Sequence, residues 1–361
     1  MVDSYNALVT KAEELEAQLP ENMKDAYYQL VLHPILACAN LNEMYVSQAK
    51  NQRFAGQGRA STNTMADRVG DLYENDTTIT NRYHSIAGGK WNHMMKQTHI
   101  GYTSWDNPEV QVRPSTQTIQ ASGAASIGAS IEGSTQGLTP ASGAATLPEL
   151  SVYYPQEVRH LEIYNRGAGS FDFTAASDQA YVTVEPNTGT VGDDVTLKVS
   201  VDWAQVPEGD SDALITVSGE GGDIDVVLPL RKPSTPTPTE VVGFVENAGY
   251  VSVDASHYTD KVEQAGVAWS TIPDLGRTGS AVHIQPDTAA AVTAGGDTPQ
   301  LHYKMYFFEP GQVEVRVYLS PSLPVLGQHY RYAVSFDDQA PQTVDIHQGL
   351  PSDFNDTAPI W

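Results

Sequence analysis

The chain has 361 residues, 40% hydrophobic and 18% charged, a globular composition with length enough for about two or three domains. With 44 acidic against 20 basic residues the formal net charge is -24, which argues against nucleic acid and anionic membrane as partners, since both need a local excess of Lys and Arg. Cys38 is the single cysteine, so an intrachain disulfide and a thiolate metal cluster are excluded, and no apolar window of roughly 18 residues offers a membrane span. The opening stretch MVDSYNALVTKAEELEAQL is acidic and amphipathic, unlike a signal peptide with its basic start and apolar centre.

Leu8, Ala12, Leu15 and Leu19 recur at helical spacing, and Pro20 ends that helix. A second helix is predicted from Asn22, as its cap, through Tyr27, Leu30, Val31, Ile35, Cys38, Leu41 and Tyr45, with a kink or break at Pro34. A third runs from about Thr62 to Ile86 with Met65, Val69, Leu72, Ile79 and Tyr83 inward, and Gly88 and Gly89 stop it. Short connections make an antiparallel bundle the natural arrangement. The first helix begins almost at Met1, so further helices upstream are expected.

GGKWNHMMKQTHIGYTSWDNP at 88–108 follows this helix. Trp, Met and Ile reward ordering only when buried, so the run reads as a packed loop that covers Trp91, Met94, Met95, Ile100 and Trp105. Residues 1–108 are therefore taken as a partial helical domain. From 109 to 148 Ser, Thr, Ala, Gly and Pro dominate and no apolar period survives, apart from an alternation in SIGASIEGS at 126–134 that could be one edge strand. This segment reads as a surface-hugging connection.

Over 149–231 the period becomes two, in RHLEIYNRG, SFDFTAAS, YVTVEP, DVTLKVSVDW, DALITVSG and DIDVVLPL, separated by turn signals such as EPNTGTVGDD and GEGG. About seven short strands at this spacing predict an immunoglobulin-like β-sandwich. KPSTPTPTE at 232–240 is a Pro/Thr linker biased toward extended polyproline geometry. Residues 241–361 alternate again, with aromatics on the strands, in AVHIQP, QLHYKMYFFEPGQVEVRVYLSPS and HYRYAVSFDD. A galactose-binding-like jelly roll is predicted there, and FNDTAPIW comes before the closing strands such a sheet needs.

FAGQGRASTNTMADRV at 54–69 together with GGKWNHMMKQTHIGYTSW at 88–105 resembles the C-terminal half of glycoside hydrolase family 115, the xylan α-glucuronidases. That family combines an α/β domain, a barrel-like catalytic domain, a helical domain and C-terminal β modules, of which the last two match. The resemblance implies a multidomain α+β chain truncated at both ends: partial helical bundle, β-sandwich, β-jelly-roll. It further implies a full-length enzyme that removes (4-O-methyl)glucuronic acid from glucuronoxylan-type polysaccharide, secreted or periplasmic in a bacterium, acting as a homodimer and needing no cofactor. Its catalytic carboxylates would lie in the upstream barrel, so no catalytic residue is assigned in this chain.

Within the 88–108 loop, Asn92, His93, Gln97, His99 and Tyr102 could hydrogen-bond sugar hydroxyls while Trp91 or Trp105 stacks on a pyranose face. The rival reading is architectural, with these groups sealing a junction and satisfying buried backbone. His93 and His99 have no acidic third ligand nearby, so no metal site is expected. Gly56, Gln57, Gly58 and Arg59 suggest a phosphate loop only superficially: no strand precedes them, and a helix-to-helix turn with Arg59 paired to a carboxylate is expected instead. Trp269, in the polar stretch EQAGVAWSTIPDLGRTG, is the aromatic of the last module expected to be exposed for stacking or for an interface. The remaining aromatics there suit a strand core. A non-catalytic carbohydrate-binding or scaffold protein is the alternative function.

Overall fold

The N-terminal segment is helical through α1 (Val2–Gln18), α2 (Glu21–Tyr27), α3 (His33–Gln57) and α4 (Ser61–Gly89). These belong to the computed structural model of the protein, which describes residues 1–102, 109–264, 266–276, 278–296, 298–320, 322 and 329–349. The chain divides into two compact units, Met1–Lys232 and Pro233–Trp361.

Pro20 separates α1 from α2, and it takes the cap position itself in place of Asn22. Pro34 does not break the second helix. A π-helical turn at Tyr28–Leu32 joins α2 to α3 without loss of helical backbone. Proline lacks an N–H, and its ring crowds the carbonyl four residues back, here that of Leu30; a widened turn relieves both problems. The extra residue also rotates the buried face. Tyr28 and Leu32 point inward, whereas Leu30 and Val31, expected inside by regular spacing, are exposed. Leu8 and Leu15 of α1 are likewise exposed, and only Ala12 of that helix is buried.

Two apolar clusters hold the helices together. Ala12, Tyr28, Leu32, Tyr83 and Ile86 form one; Met44, Val69, Leu72 and Ile100 form the other. α4 loses helical geometry at Ile86–Gly88, where Ala87 and Gly88 turn left-handed with φ of 50° and 66°, a conformation that favours glycine.

The β part of the first unit contains β1 (Ile127–Ile131), β2 (Ala145–Thr146), β3 (Leu150–Ser151), β4 (Arg159–Asn165), β5 (Phe171–Ser177), β6 (Val182–Glu185), β7 (Thr188–Val191), β8 (Asp194–Val201), β9 (Ser211–Gly219) and β10 (Gly222–Arg231). One sheet has the order β1-β4-β8-β6 and the other β2-β10-β9-β5-β7, with β3 also on β10. Both sheets contribute to a single core: Leu161, Ile163, Leu197 and Val199 from the first, and Phe173, Ile215, Val226 and Leu228 from the second. Alternation along β5 and β10 puts every second side chain into it.

Two segments read as turn or connection are in fact part of the sheets. Thr188–Val191, inside the expected turn EPNTGTVGDD, is β7 and pairs antiparallel with β5. The expected 109–148 connection supplies β1, the edge strand read within 126–134, running antiparallel to β4, and, beyond that reading, β2, which runs parallel to β10. The same connection is fastened to the helices by side chains that imitate a strand partner. Asn51 accepts from the Gln117 N–H at 2.8 Å and donates to its carbonyl at 2.8 Å, while Asn63 does the same for Ile119 at 2.9 and 3.1 Å.

The second unit is α-free among its described residues. Its strands form short two-membered ladders: β11 (Phe244–Val245) with β16 (Met305–Tyr306), β12 (Asp260–Val262) with β15 (Gln300–His302), β13 (Ala268–Ile272) with β14 (Ala281–Gln285), and β17 (Arg331–Val334) with β18 (Gln342–Asp345). Val245 is its one buried hydrophobic residue among those described, beside buried Glu246, Asn247, Thr298 and His347. The chain as a whole is α+β.

Candidate functional site

The loop after α4 is fixed by two apolar anchors and a polar clamp. Ile100 is fully buried against Met44, Val69 and Leu72, and Trp91 packs part-buried against the cluster of Tyr28, Tyr83 and Ile86. Met94 and Met95, expected to be covered, are 60% and 39% exposed. The chain turns tightly between the anchors, with Asn92 N–H bonding the Gly89 carbonyl and Met94 N–H that of Trp91. So short a turn leaves the two thioethers on its outside.

His99 is the centre of the clamp. Its Nε2 meets the Asp76 carboxylate at 2.9 Å and its Nδ1 meets the Gln97 carbonyl at 2.9 Å. Gln111 closes the loop from the other side, its Oε1 accepting the N–H groups of His99 at 2.8 Å and Ile100 at 2.7 Å. Tyr45 hydroxyl accepts from Gly101 N–H at 3.3 Å, and Tyr73 hydroxyl donates to the Gln111 carbonyl. The Asp76 hydrogen bond raises the His99 pKa above its ordinary value against the opposing effect of burial, helped by the Gln97 carbonyl. Neighbouring His33, buried and 4.6 Å ring-to-ring from Tyr83, moves the other way: burial lowers its pKa and outweighs the attraction of Asp76.

A general base needs a ring nitrogen facing the substrate, whereas both nitrogens of His99 face protein oxygens. His99 thus ties the loop to α4 through its bond to Asp76. Gln97 donates to the Tyr102 hydroxyl at 3.3 Å, so that pair forms part of the same brace. Asn92 and His93 are exposed, with His93 in the left-handed region at φ 73°. Trp91 has Lys90 over its ring at 4.9 Å. Trp105 lies outside the described residues.

Asp76, Gln111 and Tyr73 were not singled out from sequence, though Asp76 left a signal. It falls between Leu72 and Ile79 on the buried stripe of α4, where an isolated carboxylate must have a partner.

Arg59 forms the second polar centre. Gly58, left-handed at φ 68°, makes the turn between α3 and α4. Arg59 then enters the interior at 1% exposure, its guanidinium between the rings of Phe54 at 4.3 Å and Tyr164 at 4.2 Å. It donates to Glu162 at 2.5 Å, Asp194 at 3.0 Å, Ser130 at 2.8 Å and Gln57 at 2.6 Å. Burial raises the Glu162 pKa, but the Arg59 hydrogen bond and charge overcome this and hold it below the usual carboxylate value. The expected ion pair is present, with carboxylates from strands β4 and β8. Gly128 is required beside it, because a Cβ there would come within 2.3 Å of the Tyr164 ring.

In the second unit Trp269 lies on β13 opposite Ile284 of β14. It is half-buried where an exposed platform was expected, and its indole nitrogen is buried with no acceptor among the described residues. A shallow groove of about 490 Å³ lies alongside, lined by Glu263, Gln264, Gly266, Val267, Ala268, Gln285 and Pro286. No group of three or more His, Cys, Asp or Glu among the described residues is arranged to hold a metal ion.

Residues 243–361 match the family model of the glycosyl hydrolase family 115 C-terminal domain. No curated protein matches the chain. Among solved structures, the periplasmic chaperone SfaE is similar at 16% identity over 28% of this chain and 64% of its own, with a TM-score of 0.21. A Bacteroides ovatus GH5 xyloglucanase in complex with a XXXG heptasaccharide is similar at 12% identity over 32% of this chain and 21% of its own, with a TM-score of 0.21. The chain thus spans less than two thirds of the length of either protein.

Proposed function

We propose that this chain, whose residues 243–361 carry the glycosyl hydrolase family 115 C-terminal domain, forms the accessory C-terminal part of a xylan α-glucuronidase that removes (4-O-methyl)glucuronic acid from glucuronoxylan. The family match supports this reading. In it, the helices present the 88–102 loop toward a catalytic domain, the β core of the first unit is an immunoglobulin-like sandwich, and the second unit is a galactose-binding-like jelly roll. The parts run 1–108, 109–148, 149–231, 232–240 and 241–361. The assembly is a homodimer.

The polar braces support a supporting role over a chemical one. Arg59 and His99 spend every polar contact on protein groups, so they hold surfaces in place. The test is glucuronic acid release from glucuronoxylan by the 361-residue chain: none is expected, and release would place catalysis within these residues and overturn the proposal.

A second reading has one observation in its favour. The buried indole N–H of Trp269, without an acceptor among the described residues and beside the groove, suits a non-catalytic carbohydrate-binding module. Affinity electrophoresis in xylan gels separates the two. Retardation that disappears in Trp269→Ala would favour sugar binding, and unretarded migration of the parent chain would remove it.

A further inference from the structure

Several histidines and one carboxylate meet where the loop after α4 rests on the helices. His33 of α3 is buried, its ring 5.9 Å from Tyr28 of the π-turn and 4.6 Å from Tyr83 of α4. His84 follows Tyr83, with Nε2 buried and without an acceptor among the described residues, and its ring lies 6.4 Å from that of His93 in the loop. His99, also in the loop, presents Nε2 to Asp76 at 2.9 Å, where a charged ring adds an ion pair to the hydrogen bond. The titratable groups that act on His33 are Asp76 and His84 of α4 and His99 of the loop. Tyr28 beside it carries Arg82 over its ring at 3.9 Å, and Arg82 is paired with Glu16 of α1. Among the described residues, Asp76 is the carboxylate that His33 and His99 share.

One carboxylate balances one imidazolium. A second proton in the cluster creates a buried cation without its own counter-charge, which is costly, and like charges at close range repel. The loop is the element that can yield. α3 and α4 are helices of 25 and 29 residues, whereas residues 96–102 have no regular structure. We infer that this loop is a proton-operated latch, closed while Asp76 serves one imidazolium on His99 and opened when His33 takes a second proton. The Asp76 bond raises the His99 pKa and burial lowers that of His33, so His99 is protonated first as pH falls. His33 binds its proton more readily once the loop has left, so the open state is favoured as pH drops from the ordinary value of 6.5 toward the lower folded one. Opening carries His99 and Trp91 away from the packed rings of Tyr28 and Tyr83. The latch does not depend on what the loop faces in the proposed function.

The test is amide hydrogen exchange of the full chain between about pH 5 and 6.5, corrected for intrinsic rates. The reporters are the N–H groups of Ile100, bonded to Gln111, and of Gly101, bonded to the Tyr45 hydroxyl. Their protection should fall roughly threefold or more from pH 6.5 to pH 5, while the β4–β8 ladder keeps its own. His33→Gln retains a polar side chain that takes no proton. It should abolish the acid loss and leave protection at pH 6.5 within about twofold of the parent. In the parent, the His33 ring resonance should titrate together with the loss of loop protection, a measurement that stands even where the variant misfolds. Loop protection that is level from pH 6.5 to pH 5, or an acid loss shared equally by the β4–β8 ladder, overturns the latch. So does an acid loss that persists in folded His33→Gln, or a His33 titration that runs apart from loop opening.

Discussion

In the first unit, alternation along β5 and β10 delivers Phe171, Phe173, Ile224 and Val226 into a core shared by two sheets. In the second unit, equally regular alternation yields paired ladders with Val245 as the one buried hydrophobic residue among those described. A period of two specifies strands and their faces. Closure depends on a second layer arriving opposite, which no single strand encodes. The first unit adds polar fasteners, notably Arg59 and the asparagines of α3 and α4.

Four measurements would break or sharpen that contrast. The largest expected effect is Leu161→Ala, which empties a fully buried site in the first core and should lower unfolding free energy by about 4 kcal/mol. Val344→Ala, at a 39% exposed position of the second unit, should cost no more than about 0.5 kcal/mol. Equal losses in urea titrations would show that both units have comparable cores.

Arg59→Ala comes next, at about 3 kcal/mol. That is the low end for removing one member of a buried pair, because Glu162 and Asp194 keep 33% and 30% side-chain exposure. The Glu162 titration, followed by NMR, should move upward in the same variant, since the hydrogen bond and charge that depress it are gone. An unchanged Glu162 would mean that Arg59 does not govern it.

Asn51→Ala removes bonds to Thr62 and to both backbone groups of Gln117 and should cost about 2 kcal/mol. Hydrogen exchange at Gln117 should accelerate while the β4–β8 ladder stays protected. Uniform acceleration would show that the 109–148 segment is integral to sheet stability.

The smallest effect is the pH response of the loop clamp. His99 has a raised pKa, so its contribution is full below its ordinary value near 6.5 and is lost as pH rises through the folded value. His33 has a lowered pKa, so its contribution is present above that value and is lost as pH falls through the folded one. The parent should therefore be most stable around pH 6.5, losing the His99 contribution above it and the His33 contribution below it. In Asp76→Asn, the His99 resonance should titrate at lower pH than in the parent. A parent His99 midpoint at or below 6.5 would contradict the clamp.

Much of this arrangement was legible in the sequence. The helices, the strands from Arg159 to Arg231 and the Arg59 ion pair follow from period, breakers and the cost of burying charge. The register of the second helix was not, because a π-turn adds a residue that periodicity cannot count. The exposure of Met94 and Met95 was missed because residue type was read without the tight turn between Trp91 and Ile100. The asparagines were missed although Asn40, Met44, Ser47, Asn51 and Phe54 lie at regular buried spacing along α3. Polar residues on an apolar stripe mark partners that come from elsewhere in the chain.

The two asparagine forks grip the 109–148 segment through main-chain atoms of Gln117 and Ile119. Side-chain identity at those two sites is therefore not read, whereas their separation along the chain is. A stretch of interchangeable small residues can thus drift freely in composition while its length is held like the spacing of teeth on a rack. Insertion of a single residue between the forks would release one of them.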